Sequence, residues 1–585
     1  MNNNYLEEYA AWTSYADLDG ELKAELDGIK EDRAGIEDRF YSPLMFGTAG
    51  LRGVLGAGLN RMNIYVVRQA TAGLARYILK TGGEDAAQRG VAIAYDSRLK
   101  SDVFAVETAL TLAKFGIKAH LYDGIRSVPQ LSFTIRHMNC IAGVVITASH
   151  NPPEYNGYKV FWSDGGQLPP ERCTGVMNEI QNIGIFETTP ISRAAAERDG
   201  LLHIIGAEVD EAYYEAIMSL RLHNELGRDA MSTLKVVYTP LHGAGAIPVK
   251  TILGRMGVDV ITVPEQEMPD GHFPTVDAPN PEYPAAFTLA KELAKKVGAK
   301  VILATDPDSD RLGVGVQNKQ GEYDLLTGNQ IGSILTHYVL TSLSEAGKLP
   351  DNGVVIKSIV STRMVDVICK KFGVTLDEVL TGFRFIAECI ERHSSAGDKK
   401  FLFGFEESYG FLAGGFVRDK DAICASMLIA ECCAVLNTRG ESLSDLLESM
   451  YREYGLFREE TRSYTLAGRD GMERIARAMA ELRSAPFDAI ANRPVRIRED
   501  IETGIRTETE SGNETKIDLP KSNVLRFMMD NEAWLAVRPS GTEPKLKLYA
   551  GVRDTDAESA ERGLMELLDF VEKRLSETLY GAQEH

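Results

Sequence analysis

The chain has 585 residues, 44% of them hydrophobic and 25% charged, with a formal net charge of −20. That length exceeds what one core serves, so three to five domains are expected. The acidic balance argues against nucleic acid as a partner, and an anionic substrate would have to be met by a local basic site working against the overall field. Seven cysteines, an odd number with no C-x-x-C pair, suit neither a disulfide framework nor a zinc site. No basic and apolar leader opens the sequence, and no apolar run approaches the ~18 residues of a membrane span. A cytoplasmic protein without a membrane partner is expected.

In chain order, Phe46-Gly47-Thr48-Ala49-Gly50-Leu51-Arg52-Gly53 comes first. Its backbone N–H groups could approach a phosphate and Arg52 offers a bidentate donor, although an ordinary glycine turn reads the same way. Residues 91–95 then read as a strand, followed by Asp96-Ser97-Arg98, a helix to about Lys114, Phe115-Gly116-Ile117 and a strand at 119–122. The order recurs at 236–238, 247–255, Met256-Gly257-Val258 and 260–263, and again at 354–356, 363–371 and Phe372-Gly373-Val374. Such units call for parallel strands joined by a crossover helix. Three copies within about 300 residues predict three related α/β domains.

Other stretches sit between these copies. The apolar run 141–146 reads as a buried strand, so Ser149 and His150 lie where it gives out, with Lys159 beyond a Pro/Asn/Gly loop. Ligands of open α/β sheets collect outside the carboxyl ends of strands, which makes Ser149 a candidate nucleophile as well as an ordinary loop serine. Gly243-Ala244-Gly245-Ala246-Ile247-Pro248 follows a strand and opens a helix, but Pro248 breaks the dinucleotide fingerprint, and no G-x-x-x-x-G-K-[ST] loop occurs. The Pro-rich segment 264–284 is a long loop of the kind that is often functional. Thr305-Asp306-Pro307-Asp308-Ser309-Asp310-Arg311 ends a strand at 301–304; its three carboxylates suit one hard cation such as Mg²⁺, where the alternative is a solvated acidic turn. Gly404-Phe405-Glu406-Glu407-Ser408-Tyr409-Gly410 follows the strand 401–403 and suits sugar hydroxyls. Val417-Arg418-Asp419-Lys420-Asp421 opens a helix.

After about Phe457 a helix (471–482), strands near 494–497, 524–528, 534–537 and 545–552, and a long helix (557–579) predict a smaller α+β domain. Arg538-Pro539-Ser540-Gly541-Thr542-Glu543-Pro544-Lys545 joins two of those strands with a guanidinium, hydroxyls and backbone N–H groups, the inventory of a phosphate cradle. The expected domains are 1–205, 206–322, 323–455 and 456–585.

Thr147-Ala148-Ser149-His150-Asn151-Pro152, Asp306 to Arg311, Gly404 to Ser408 and Arg538 to Thr542 resemble, in this order and at this spacing, the four signatures of the α-D-phosphohexomutase family. Gly47 to Gly53 and Glu406-Glu407-Ser408-Tyr409-Gly410 resemble its phosphoglucomutase branch. The resemblance covers nearly the whole chain and implies three related α/β domains and a smaller α+β domain around a central cleft. It implies that Ser149 is carried as a phosphoserine and that Mg²⁺ is held by that phosphate with Asp306, Asp308 and Asp310. It further implies Lys159, Arg52 and His150 as catalytic helpers. Arg311, Thr381, Gly382, Arg384, Glu406, Ser408 and Lys420 would serve as substrate contacts, and Arg538, Ser540, Gly541 and Thr542 as the cradle for the non-reacting phosphate. The family motif has lysine where this chain has Arg384. The activity implied is interconversion of glucose 1-phosphate and glucose 6-phosphate through glucose 1,6-bisphosphate. Mannose or pentose phosphates, hydrolysis by the same serine, or sugar-phosphate binding without turnover are the alternatives. A phosphoserine near −2, three aspartates and one Mg²⁺ leave the site near −3, so its cations are a chemical requirement.

Overall fold

The computed structural model describes residues 4–47, 50–466, 468–540 and 544–580. The first sheet is built from β1 (Gly50–Val54), β2 (Val91–Tyr95), β3 (Ala119–Tyr122), β4 (Ala142–Ile146), β5 (Tyr155–Trp162) and β6 (Leu202–Ile205), in the order β1-β5-β4-β2-β3-β6. The second holds β7 (Lys235–Thr239), β8 (Asp259–Thr262), β9 (Val301–Thr305), β10 (Leu312–Gln317) and β11 (Tyr323–Leu325), ordered β11-β10-β9-β7-β8. The third has β12 (Gly353–Ser358), β13 (Thr375–Val379), β14 (Lys400–Glu406) and β15 (Gly410–Leu412), ordered β13-β12-β14-β15.

One four-strand pattern underlies all three sheets. A first strand (β2, β7, β12) lies between two parallel neighbours, and a fourth strand folds back antiparallel on the third. The recurring bulky-Gly-β-branched signature has a physical cause. Gly116, Gly257 and Gly373 take φ of 74°, 94° and 68°, the left-handed conformation in which a helix is stopped and the chain turned into the next strand. The third strands supply the rigid part. All five residues of β4 are buried, and so are all five of β9; each buried Val, Ile or Leu contributes about 1.5–3 kcal/mol. The turn from third to fourth strand is therefore the same point in each repeat. These turns are the Ser149 loop, the Asp306–Asp310 loop and the Glu406–Tyr409 loop.

The fourth sheet is antiparallel, made of β16 (Leu456–Thr465), β17 (Ala489–Ile490), β18 (Arg493–Asp500), β19 (Ile505–Glu508), β20 (Glu514–Lys516), β21 (Leu525–Met529), β22 (Trp534–Pro539) and β23 (Lys545–Asp554). Its path is β16-β23-β22-β21-β18-β19-β20, with β17 paired to β18. Helices Gly468–Ser484 and Ala557–Tyr580 cover it through Leu482, Leu535, Leu548 and Leu567. Two sequence expectations need correction here. The stretch after Phe457 is no direct lead into a helix but β16, paired along all ten residues with β23; its run of Arg, Glu and Thr masks the alternation that marks a strand. β11 lies past the expected boundary at 322 and pairs with β10, so the second unit reaches at least Leu325.

The seven cysteines are buried and free. Among the described residues no single helix is long and apolar enough to cross a membrane; helices Ala422–Thr438 and Leu443–Tyr454 qualify only together, across an 87° bend.

Candidate active site

Ser149 stands just past β4 with φ 52° and 3% exposure. Positive φ is uncommon for a residue with a side chain, and the surroundings hold it there. Its N–H donates to Thr147 Oγ1 at 2.8 Å, and Thr147 Oγ1 donates to Asp96 Oδ2 at 2.5 Å. Ser149 Oγ donates to Asp306 Oδ2 at 2.7 Å, and His150 Nδ1 lies 3.2 Å from Ser149 Oγ. Burial, followed by Arg311 and Arg52, holds the His150 imidazole well below its ordinary pKa. These surroundings favour the neutral imidazole. Lys159, on β5 opposite Val145, donates from Nζ to Asp308 Oδ2 at 2.8 Å. Arg52 is exposed on β1, its guanidinium 3.4 Å from Asn151 Oδ1.

The Asp306–Asp310 turn joins β9 to β10, and all three carboxylates are buried with ligand oxygens within 4.8 Å of one another. Asp306 Oδ1 accepts from the backbone N–H groups of Asp310 (3.1 Å) and Arg311 (3.0 Å). Asp308 Oδ2 accepts from Lys159 and lies 3.2 Å from Thr147 Oγ1. Lys420 Nζ lies 3.1 Å from Asp310 Oδ2 and 3.0 Å from Asp419 Oδ1. Asp308 Oδ1 and Asp310 Oδ1 are buried without a hydrogen-bond partner among the described residues. A buried carboxylate oxygen left bare is costly, and convergent oxygens of this kind suit a hard divalent cation. Burial and then Asp308 push Asp306 and Asp310 up; burial also acts on Asp308, but Lys159, Asp306 and Lys420 together outweigh it and bring Asp308 down.

A second group of metal-type ligands, Asp377, Cys389 and His393, also converges. It is satisfied internally. His393 bonds to Asp377 at 2.7 Å and to Asp398 at 2.9 Å, and the Arg392 guanidinium lies 3.3 Å from Cys389 Sγ. The aspartate triad with its two bare oxygens is the better metal site.

The third turn carries Glu406 at the end of β14. Its Oε1 accepts from Gly382 N–H at 2.6 Å, and burial, partly offset by Lys420, raises its carboxyl to about 7. Glu407 turns away and accepts from Ser358 Oγ at 2.8 Å, while Ser408 is half-buried beside it. The Arg311 guanidinium is bonded to Glu282. Arg384 and Arg538 line one cavity of about 210 Å³ with Thr381, Lys521 and Ser522. Gly382 opens the helix Phe383–Ala396 at φ 118°, and Thr381 Oγ1 is buried without a partner among the described residues. Ser540 N–H donates to Lys545 O at 2.7 Å; Gly541 and Thr542, like Thr48 and Ala49, lie outside the described residues.

These contacts bring the units together. Ser149–Asp306 joins the first unit to the second, and Lys420–Asp310 with a bridge between Arg311 and Gly410 joins the second to the third. Lys547 on β23, opposite Arg538, brings in the fourth: burial lowers its ammonium while Glu407 and Glu282 raise it. Sequence reasoning missed Thr147, Lys521, Ser522, Lys547 and Arg98. Only Thr147 and Arg98 stood inside stretches that it singled out. Gly243 and Gly245, in the stretch whose dinucleotide fingerprint Pro248 breaks, serve packing: a Cβ on Gly243 would sit 2.4 Å from Pro307 Cα and one on Gly245 2.7 Å from Ser309 Oγ. They let the helix Ala246–Met256 approach the Asp306–Asp310 turn.

Models of the phosphoglucomutase/phosphomannomutase family match in order: alpha/beta/alpha domain I over residues 43–185, domain II over 211–321, domain III over 327–454 and the C-terminal domain over 487–568. The chain is 37% identical over 526 residues to the phosphoglucomutase of Staphylococcus saprophyticus, covering 89% of this chain and 92% of that one. It is 38% identical over 517 residues to that of Staphylococcus epidermidis, covering 88% and 92%. Among solved structures, a phosphoglucomutase/phosphomannomutase family protein from Burkholderia thailandensis superposes with a TM-score of 0.66 at 19% identity, covering 92% of this chain and 98% of that one. The open form of the Paramecium phosphoprotein parafusin gives 0.65 at 16%, covering 92% and 96%. Both share the fold. The chain belongs to the α-D-phosphohexomutase family, in its phosphoglucomutase branch, and is an isomerase that works by intramolecular phosphoryl transfer.

Proposed function

We propose that the chain interconverts glucose 1-phosphate and glucose 6-phosphate, with Ser149 carrying the phosphoryl group and glucose 1,6-bisphosphate as the intermediate. The observation that carries this reading is Ser149 Oγ lying 2.7 Å from Asp306 Oδ2, at the edge of an aspartate triad with two bare oxygens. Asp306, Asp308 and Asp310 would hold Mg²⁺, which when bound neutralises charge on the transferring phosphoryl group.

The remaining roles belong to the chain's own groups. The P–O bond to Ser149 breaks as the free sugar hydroxyl bonds to phosphorus, and the proton lost by that hydroxyl is balanced by one gained at Ser149 Oγ. Neutral His150, 3.2 Å from Oγ, and the Lys159 ammonium, fixed on Asp308, are placed to move that proton. Glu406 would orient the sugar hydroxyls, and Arg384 and Arg538 supply charge for the non-reacting phosphate from one cavity. The bisphosphate then turns round and returns its other phosphoryl group to Ser149.

Replacing Ser149 with Ala tests this. Mutase activity should disappear, and intact-mass measurement should find phosphate on the wild-type chain after treatment with glucose 1,6-bisphosphate but none on the variant. Near-normal turnover by Ser149→Ala would sink the relay. Glucose, mannose and ribose 1-phosphates compared side by side, with phosphate release followed in parallel, test the choice of sugar and of acceptor.

A further inference from the structure

We propose that residues 268–283 of the second unit form a positioning strap that sets the Ser149 loop through Arg98. The inference deepens the reading of Ser149 as phosphoryl carrier and rests on it. Arg98, 3% exposed, spends its guanidinium on backbone. Nη1 donates to Pro152 O at 2.8 Å and to Tyr155 O at 3.0 Å, and Nη2 donates to Ser149 O at 2.6 Å and to Asn151 O. One planar fork thus gathers four carbonyls of the stretch 149–155, including that of the left-handed serine. Asp96, two residues away, holds the other side of the same loop through Thr147. A lysine could not repeat this arrangement, because its ammonium is a point donor and not a fork.

What positions Arg98 comes from another unit. The Phe273 ring lies 4.9 Å from the guanidinium carbon, and Phe273 is buried at φ 46°, a conformation that a bulky residue rarely adopts. Two residues earlier the strap touches the backbone beside Arg98: a Cβ on Gly271 would sit 2.5 Å from Leu99 N and 2.8 Å from Ser97 O. At its far end Glu282 bonds to Arg311, whose N–H donates to Asp306. The strap therefore grips both partners of the Ser149–Asp306 contact. A strained aromatic aimed at a buried guanidinium, next to a point where a side chain has no room, marks a segment held for function. Arg98 and Phe273 are positioning residues, since neither reaches the reacting atoms.

The test reads phosphoryl loading of dephosphorylated chain from labelled glucose 1,6-bisphosphate, beside KM for glucose 1-phosphate. Misplacing a reacting group by about 1 Å costs on the order of 100-fold. Arg98→Lys should therefore slow loading and kcat by about that factor, and Phe273→Leu by roughly 10-fold, with KM unchanged in both. The double variant should lose no more than Arg98→Lys alone, because Phe273 acts through Arg98. Multiplying losses would overturn the proposal, as would a Phe273→Leu chain that loads at the wild-type rate, a measurement that stands even if Arg98→Lys fails to fold. Activity surviving in Ser149→Ala would instead remove the relay itself, so the two failures are distinguishable.

Discussion

Replacing Lys159 with Met separates two roles that its ammonium combines. Nζ donates to Asp308 Oδ2 at 2.8 Å while Asp308 Oδ1 stays bare. At an effective dielectric of ~20, a unit charge about 3 Å away is worth roughly 6 kcal/mol of gross attraction and one about 5 Å away roughly 3; desolvation offsets part of each. Without that charge the triad should take up a divalent cation more tightly, on the order of 10- to 100-fold. Turnover should move the other way and fall on the order of 10²- to 10⁴-fold, the range that one positioned proton carrier supplies. Calorimetric titration with Mg²⁺ reads the first effect and kcat at saturating Mg²⁺ the second. The sign of the pH dependence is also fixed. Against the effect of burial, Lys159 holds Asp308 below the ordinary carboxylate range. Its contribution to stability is then complete above ~4 and lost as pH falls further, and the Met variant should lack it. Weaker metal binding together with unchanged saturated turnover would refute the reasoning and leave Lys159 as a structural partner of Asp308.

Asp308→Asn keeps the size of the side chain but removes a charged ligand, so Mg²⁺ affinity and kcat should both fall, and full wild-type activity in EDTA would contradict the metal assignment. Burial raises Glu406 to about 7, so KM for glucose 1-phosphate should rise as pH drops from about 8 to about 6 while the carboxylate is lost. Glu406→Gln should flatten that profile; a slope that persists in the variant assigns it to another group. The same shift means that the proton on Glu406 favours the folded chain below ~4.5, an advantage lost as pH rises toward about 7. Arg538→Ala should cost about 2–4 kcal/mol, on the order of 30- to 1000-fold in kcat/KM. Single-turnover transfer from phospho-Ser149 should suffer with both monophosphates, and a loss confined to one would mean two separate phosphate sites.

The three strand–helix–strand repeats were legible because each is local: a buried strand, an amphipathic helix and a glycine that caps it are written within about 30 residues. The candidate site was legible where a motif sits on a strand end, as with Ser149, Asp306 and Glu406. What escaped was set by contacts across units. Arg98 sits in an unremarkable Asp-Ser-Arg turn until the 149–155 carbonyls gather round it. The pairing of Arg311 with Glu282 likewise depends on the long loop and leaves no mark in the motif itself. β16 escaped for another reason: its charged residues follow no period of two, and only pairing with β23 makes it a strand.

The shared strand order explains why the Ser149, Asp306–Asp310 and Glu406–Tyr409 turns meet at all. Each repeat exposes one turn at the same place, between its third and fourth strands, so three units packed with those ends inward deliver three loops to one point. No repeat has to evolve a new geometry to contribute; it changes only the residues on a turn that a strand buried at that end already holds rigid. The side chains there then become the joints between units, as Ser149 with Asp306 and Lys420 with Asp310 do. Placement of the candidate site and packing of the units are consequently the same contacts. That is why the Pro-rich strap, which belongs to neither a repeat strand nor a signature, has leverage over both: it fixes Arg98 on one partner of the first joint and Arg311 on the other.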